Sequence, residues 1–272
     1  MNEHGPAPGD ARVECRSMSV RRGDRVVLRD ITFTLCAGEC LTLIGPNGSG
    51  KTTLLLAMLG LLRPAAGLVC LNGLPAHRLA ARRRGRFAAY VPQLVERIPA
   101  FRVYDVVAGG RYPHVSPLQP LSESDRTAIS QALDQCGLTT LAEREINAIS
   151  AGERQKALIA AALAQDAEFL FLDEPNTALD PAYQVELVGL LRSWHARGRG
   201  LVLISHELNL PLAVGGHVVA LREGRIVADG PAAEILQPQT LAAVYHTTFE
   251  VATTPGGRRF VLPRWSRDER VS

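Results

Sequence analysis

The chain has 272 residues, 46% of them hydrophobic and 21% charged, with a net charge of +3. That is enough apolar material for a large α/β core with a smaller attached lobe, and too balanced a charge for an extended nucleic-acid footprint, so no nucleic-acid partner is expected. The five cysteines, Cys15, Cys36, Cys40, Cys70 and Cys136, are odd in number and lack paired zinc spacing, the usage of reduced thiols in a cytoplasmic protein.

Residues 1–12 are rich in proline, glycine and charge, contain no apolar signal-peptide centre, and read as a disordered lead-in. Strands are expected near residues 13–20 and 26–35. The apolar run Leu41-Thr42-Leu43-Ile44 then enters Gly45-Pro46-Asn47-Gly48-Ser49-Gly50-Lys51-Thr52, followed by the helical Thr53-Leu54-Leu55-Leu56-Ala57-Met58-Leu59. Strand, glycine-rich loop and helix in that order make a phosphate-binding loop. Glycines let successive N–H groups curl around phosphate oxygens, and the helix presents its positive end to the same anion. Lys51 reaches the β and γ phosphates, and the Thr52 hydroxyl suits Mg²⁺. The apolar stretch 54–62 is half the length a membrane span needs, and Arg63-Pro64 ends it.

A strand is expected at 68–71 before Asn72-Gly73. Arg78, Arg82, Arg83, Arg84 and Arg86 read as the wet face of a short helix, with a role against lipid headgroups or a partner as the alternative. From Gln93 to Ile149 the pattern turns helical: Ser122-Glu123-Ser124-Asp125 is a capping box, and Ile129, Leu133 and Cys136 share a face. His114 follows Pro113 without further ligands at metal spacing. Ser150 can begin a helix over 151–164, whose first-turn N–H groups form an anion site. Phe169-Leu170-Phe171-Leu172-Asp173-Glu174-Pro175 reads as a buried parallel strand ending in two acids. Such acids lie at the ligand edge of an open α/β sheet, Asp173 to hold Mg²⁺ and Glu174 to polarise an attacking water. A helix over 181–196, a strand over 201–205 and a hairpin about Glu223-Gly224-Arg225 complete the alternation. Residues 263–272 read as a solvated tail.

Three further elements occur in order: Gln93 in Tyr90-Val91-Pro92-Gln93, the string Ile149-Ser150-Ala151-Gly152-Glu153-Arg154-Gln155, and His206 in Leu203-Ile204-Ser205-His206-Glu207. With the phosphate loop and the Asp173-Glu174 pair they resemble an ATP-binding cassette ATPase, from about Val13 to Tyr245. The resemblance implies a P-loop nucleotide-binding core with an antiparallel β subdomain and an inserted helical subdomain over about 93–149, in one domain spanning 13–262. It implies ATP and Mg²⁺ as cofactors, the nucleotide being held by the loop from Gly45 through Thr52 and Thr53. Gln93 would touch Mg²⁺ or its water and sense a membrane partner. Ser150, Ala151, Gly152 and Glu153 would meet the γ-phosphate of a nucleotide on a second copy, with Asp180 at the seam, and His206 would orient Glu174.

The chain departs from the family pattern twice. Ala151 stands where the signature string ordinarily has a glycine, adding a methyl group near phosphate. Arg22 stands before Gly23 where an aromatic residue ordinarily stacks on adenine; either its guanidinium plane stacks there or it is a solvated charge. The segment from Phe101 to His114 is similar to that of ATPases serving iron(III)-siderophore, haem and vitamin B12 importers. The resemblance therefore implies a homodimer on the cytoplasmic face of the membrane, beneath permease subunits and acting indirectly with a solute-binding protein. An ATPase for molybdate, zinc or another small solute is the alternative. A soluble cassette of DNA repair would need a long coiled coil between Gln93 and Ser150, and sustained heptads are missing there.

Overall fold

The computed structural model describes residues 11–93, 99–116, 119–175 and 181–264. Two long strands open the chain, β1 (Arg12–Arg22) and β2 (Arg25–Cys36), paired antiparallel about the turn at Gly23. The inward residues of β1 are Val13, Cys15, Met18 and Val20, and the change from odd to even positions requires an extra residue. The register slips between Cys15 and Met18, where Ser17 takes φ 44°. Strand β1 begins at Arg12, with Ala11 already buried, so the ordered core starts two residues earlier than the expected lead-in allows; residues 1–10 and most of the expected tail lie outside the described residues.

Strand β3 (Cys40–Ile44) and helix α1 (Lys51–Met58) flank the glycine-rich loop. Next come β4 (Ala66–Leu71), β5 (Leu74–Pro75), α2 (Ala81–Phe87) and β6 (Ala88–Val91). The arginine run does form a short helix, yet much of it is engaged. Arg84 donates to the Leu79 carbonyl, Arg86 to that of Pro113, and Arg82 lies 5.0 Å from the Tyr112 ring centroid.

Helices α3 (Val103–Gly109), α4 (Glu123–Gln135) and α5 (Ala151–Ala164) form the lobe expected from sequence. Its extent differs, because α5 packs against α3 and α4 and carries the lobe on to Ala164 rather than ending it at 149. Ser122 and Ser150 each accept from the N–H three residues on, and Asp125 and Glu153 close the boxes. Arg111 is buried: it donates to Asp125 at 2.8 Å and to the Ala164 carbonyl at 2.7 Å. His114 is likewise structural, bonded to the Gln165 carbonyl at 2.8 Å.

The chain returns through β7 (Phe169–Asp173), α6 (Pro181–Ala196), β8 (Gly200–Ile204), α7 (Asn209–Val214), β9 (His217–Arg222) and β10 (Arg225–Pro231). Short helices α8 (Ala232–Ile235) and α9 (Pro238–Tyr245) lead to a separate hairpin, β11 (Phe249–Thr253) with β12 (Arg259–Pro263). Strand β6 and everything after β10 went unread in the sequence.

Strands β2-β1-β4-β5 make an antiparallel sheet; the main sheet runs β10-β9-β3-β8-β7-β6, parallel from β9 to β6 with β10 antiparallel at its edge. Its strands are buried on both faces, which explains their continuous apolar runs. The pleat sorts their side chains: Phe169, Phe171, Val202 and Ile204 face the cluster containing α1 and the antiparallel sheet. Leu170, Leu172, Leu201 and Leu203 face the cluster containing α5, α6 and the helical lobe. Helices α1 and α5 thus cover opposite faces of one sheet.

Candidate active site

In a parallel sheet the carboxyl ends of the strands share one edge, and here four consecutive strands deliver their chemistry to it. In spatial order these are the glycine-rich loop after β3, His206 after β8, Asp173 and Glu174 at the end of β7, and Gln93 after β6. The residues are scattered over more than half the chain, and the strand order alone assembles them.

The loop is tightly held. Gly45 has φ 141°, and a Cβ there would lie 2.0 Å from the Leu221 carbonyl oxygen; Gly50 has φ 107°, and its Cβ would meet Leu28 Cδ2 at 2.6 Å. Only glycine fits either place. Gly224, in the β9–β10 turn, donates to the Ser49 carbonyl at 3.1 Å and accepts from Arg29 N–H at 2.8 Å, so the turn pins the loop to β2. Helix α1 opens on Gly50 without a side-chain cap, leaving its first-turn N–H groups for an anion. Lys51 folds back over the loop and donates to the carbonyls of Gly45 (2.8 Å) and Pro46 (3.1 Å). Burial pulls its ammonium below the usual lysine range, and the carboxylates of Glu174 and Asp173 oppose that shift.

Asp173 is 2% exposed, and burial raises its carboxyl above the usual range despite a hydrogen bond from Thr52. Its Oδ1 has no hydrogen-bond partner. A buried carboxylate oxygen left bare beside a hydroxyl is costly unless a cation completes it, and this pair of hard oxygen donors suits a divalent ion. Glu174 takes φ 51°, a left-handed conformation of order 1–3 kcal/mol for a non-glycine residue. Its N–H is anchored on the Ile204 carbonyl at 3.0 Å. The carboxylate is gripped from two sides, by Gln93 Nε2 at 2.6 Å and His206 Nε2 at 2.7 Å. His206 itself is set by a tight turn in which buried Ser205 Oγ accepts from Glu207 N–H and donates to the Glu207 carbonyl.

The other expected residues fall apart from this cluster. Ser150 caps α5 on the opposite face of the sheet from α1, with Ala151, Gly152 and Glu153 in that helix's first turn. Asp180 lies outside the described residues. Arg22 is exposed at the end of β1, in register with Arg25. A cavity of about 400 Å³ beside the loop is lined by Asp24, Arg25, Val26, Val27, Arg29, Gly48, Glu223 and Gly224, and Arg22 is not among its walls. Sequence reasoning missed Tyr245, whose hydroxyl accepts from Gly45 N–H at 2.9 Å across 200 positions of chain. No local pattern marks such a residue.

Comparison with known proteins agrees with this geometry. Residues 28–177 match the ABC transporter family. The chain is 38% identical over 239 residues to the iron(3+)-hydroxamate import ATP-binding protein FhuC of Bacillus subtilis, covering 88% of this chain and 89% of that protein. It is 36% identical over 267 residues to the hemin import ATP-binding protein HmuV of Rhodococcus jostii, covering 97% and 90%. Among solved structures, a metal-chelate type ABC transporter in an inward-facing conformation superposes with a TM-score of 0.81 at 27% identity, covering 94% of this chain and 98% of that one. The chain belongs to the ABC transporter family, as an ATP-binding and ATP-hydrolysing subunit.

Proposed function

We propose that this ATPase powers import of a metal chelate, of the iron-siderophore, haem or cobalamin class, through a membrane permease. The observation that carries the proposal is the near full-length similarity to iron(3+)-hydroxamate and hemin import subunits, in a chain whose own strand ends assemble a hydrolytic site. Among the described residues no helix is long and apolar enough to cross a membrane, which suits a subunit docked on a separate permease at the cytoplasmic face. Substrate choice then rests with the permease and a solute-binding protein.

In this reading the backbone of residues 45–50 cradles the phosphates, with Thr53 in the turn of α1 behind them. Lys51 exchanges its carbonyl partners for phosphate oxygens. Thr52 and Asp173 would hold Mg²⁺, reached also by Gln93, and that ion when bound neutralises charge on the β and γ oxygens. Glu174 orients and deprotonates the attacking water, and Gln93 and His206 keep its carboxylate aimed. Because α1 and α5 lie on opposite faces of the sheet, Ser150 to Glu153 complete the site of a second copy rather than their own. ATP closes two copies and hydrolysis releases them, which shifts the permease between states.

The helical lobe offers the permease exposed Phe101 (50%) and Tyr112 (60%), not Arg111. The test is co-purification and transport with the permease after Phe101→Ser and Tyr112→Ser, with ATP affinity followed in parallel. Weakened association with unchanged affinity is expected; unchanged association and transport would move the coupling surface elsewhere. Proteoliposomes carrying the complex, offered ferric hydroxamate, haem, cobalamin, molybdate and zinc in turn, identify the solute by which of them accumulates.

A further inference from the structure

We infer that Tyr245 is a positioning residue for the phosphate loop, held in place by the β11–β12 hairpin, which braces that loop to the segment carrying His206. The inference rests on hydrolysis at the phosphate loop and deepens that reading.

The path is continuous. Gly45 N–H, at the first glycine of the loop, donates to Tyr245 Oη at 2.9 Å. The Tyr245 ring meets Phe249 edge to face, with centroids 5.9 Å apart. Phe249 opens β11 and is buried with Val261 of β12 in the cluster that contains Ile44, the residue immediately before Gly45. Val261 in turn is fixed by both ends of one amide: its N–H donates to Asn209 Oδ1 at 2.9 Å, and Asn209 Nδ2 donates to its carbonyl at 3.2 Å. Asn209 opens α7, three residues after His206.

Gly45 sits at φ 141° in a turn where a Cβ would lie 2.0 Å from the Leu221 carbonyl oxygen, and a backbone donor in so crowded a turn needs a partner. The Tyr245 hydroxyl is that partner, which fixes the first glycine of the loop without nucleotide. The remaining loop N–H groups are then left directed at nucleotide. The hairpin's side-chain tie to α7 makes the same brace sense the position of the histidine segment.

The experiment uses the full chain, with ATP affinity measured by calorimetry and thermal midpoint recorded without nucleotide. Tyr245→Phe keeps the ring and removes the acceptor; it is expected to weaken ATP binding about 2- to 12-fold, the range for one lost hydrogen bond. Phe249→Leu keeps the hydroxyl and loosens packing, and should weaken binding less than Tyr245→Phe when the two lose similar thermal stability. Asn209→Ala should also weaken binding, and combining it with Tyr245→Phe should add less than the sum, because both release one brace. Parental affinity in Tyr245→Phe, an equal effect from Phe249→Leu, or full additivity overturns the inference. Lys51→Ala is the control: ATP binding intact in that variant would remove the phosphate-loop reading itself.

Discussion

The strand-end edge and the helical lobe solve opposite problems. In the lobe, two capping boxes close α4 and α5, and Arg111 and Asp125 neutralise each other with side chains only 10% and 9% exposed, although Arg154 Nε and Gln155 Nε2 on α5 are buried without hydrogen-bond partners. At the edge, buried Asp173 Oδ1 and Ser49 Oγ lack hydrogen-bond partners, Lys51 leans on carbonyls, and Glu174 sits in a left-handed conformation. The lobe satisfies its buried ion pair within the protein, and the edge is built to be completed by a ligand. Unsatisfied groups there are the cost of readiness, carried by the well-packed sheet beneath.

That contrast can be broken most severely at Glu174. Glu174→Gln should lower phosphate release about 10²–10⁴-fold, because a carboxamide cannot accept the water's proton. ATP affinity and the thermal midpoint should stay near parental, since Lys51, Thr52 and Asp173 are untouched. Rapid turnover in this variant would show that the edge works through another base.

In the lobe the corresponding blow falls on stability. Arg111→Ala strands the Asp125 carboxylate in a buried place and should cost about 3–5 kcal/mol in chemical denaturation. Loss of nucleotide affinity without loss of stability would mean that the Arg111–Asp125 pair serves the site rather than the packing of the lobe. Acid titration probes the same pair more gently. Hydrogen bonds from Ser122 and then Arg111 hold the Asp125 carboxyl down to about 2. A depressed folded-state value means this stabilisation is complete above the ordinary carboxylate range near pH 4, and is lost as pH falls through about 2. Denaturation midpoints followed from about pH 4.5 downward should fall more steeply for the parent than for Asp125→Asn.

The smallest expected effect lies at the rim of the edge. Arg22 is exposed and stands outside the walls of the cavity beside the loop. Arg22→Ala should therefore leave ATP affinity within about twofold, whereas adenine stacking would be worth about 2- to 30-fold. A loss in that range, measured by calorimetry, would place Arg22 on the base.

Local chemistry was legible in the sequence wherever it is written in consecutive residues. The glycine-rich loop, the capping residues Ser122 and Ser150, the buried run ending at Asp173 and the turn at Gly224 each depend on neighbours a few positions away, so propensity and spacing sufficed. The resemblance to the cassette family implied that His206 orients Glu174 and that Gln93 serves Mg²⁺; in the structure both side chains hydrogen-bond to Glu174. What only the tertiary structure decided was the burial of Arg111, the joining of α5 to the lobe, the placing of α1 and α5 on opposite faces, and the reach of Tyr245 to Gly45. Each depends on how distant segments pack: strand order, the side of the pleat a residue faces, and which helices meet in the lobe. An arginine in a helical segment carries no mark telling whether water or Asp125 will face it, and a tyrosine 200 residues from a loop carries none telling that a hairpin will press it there.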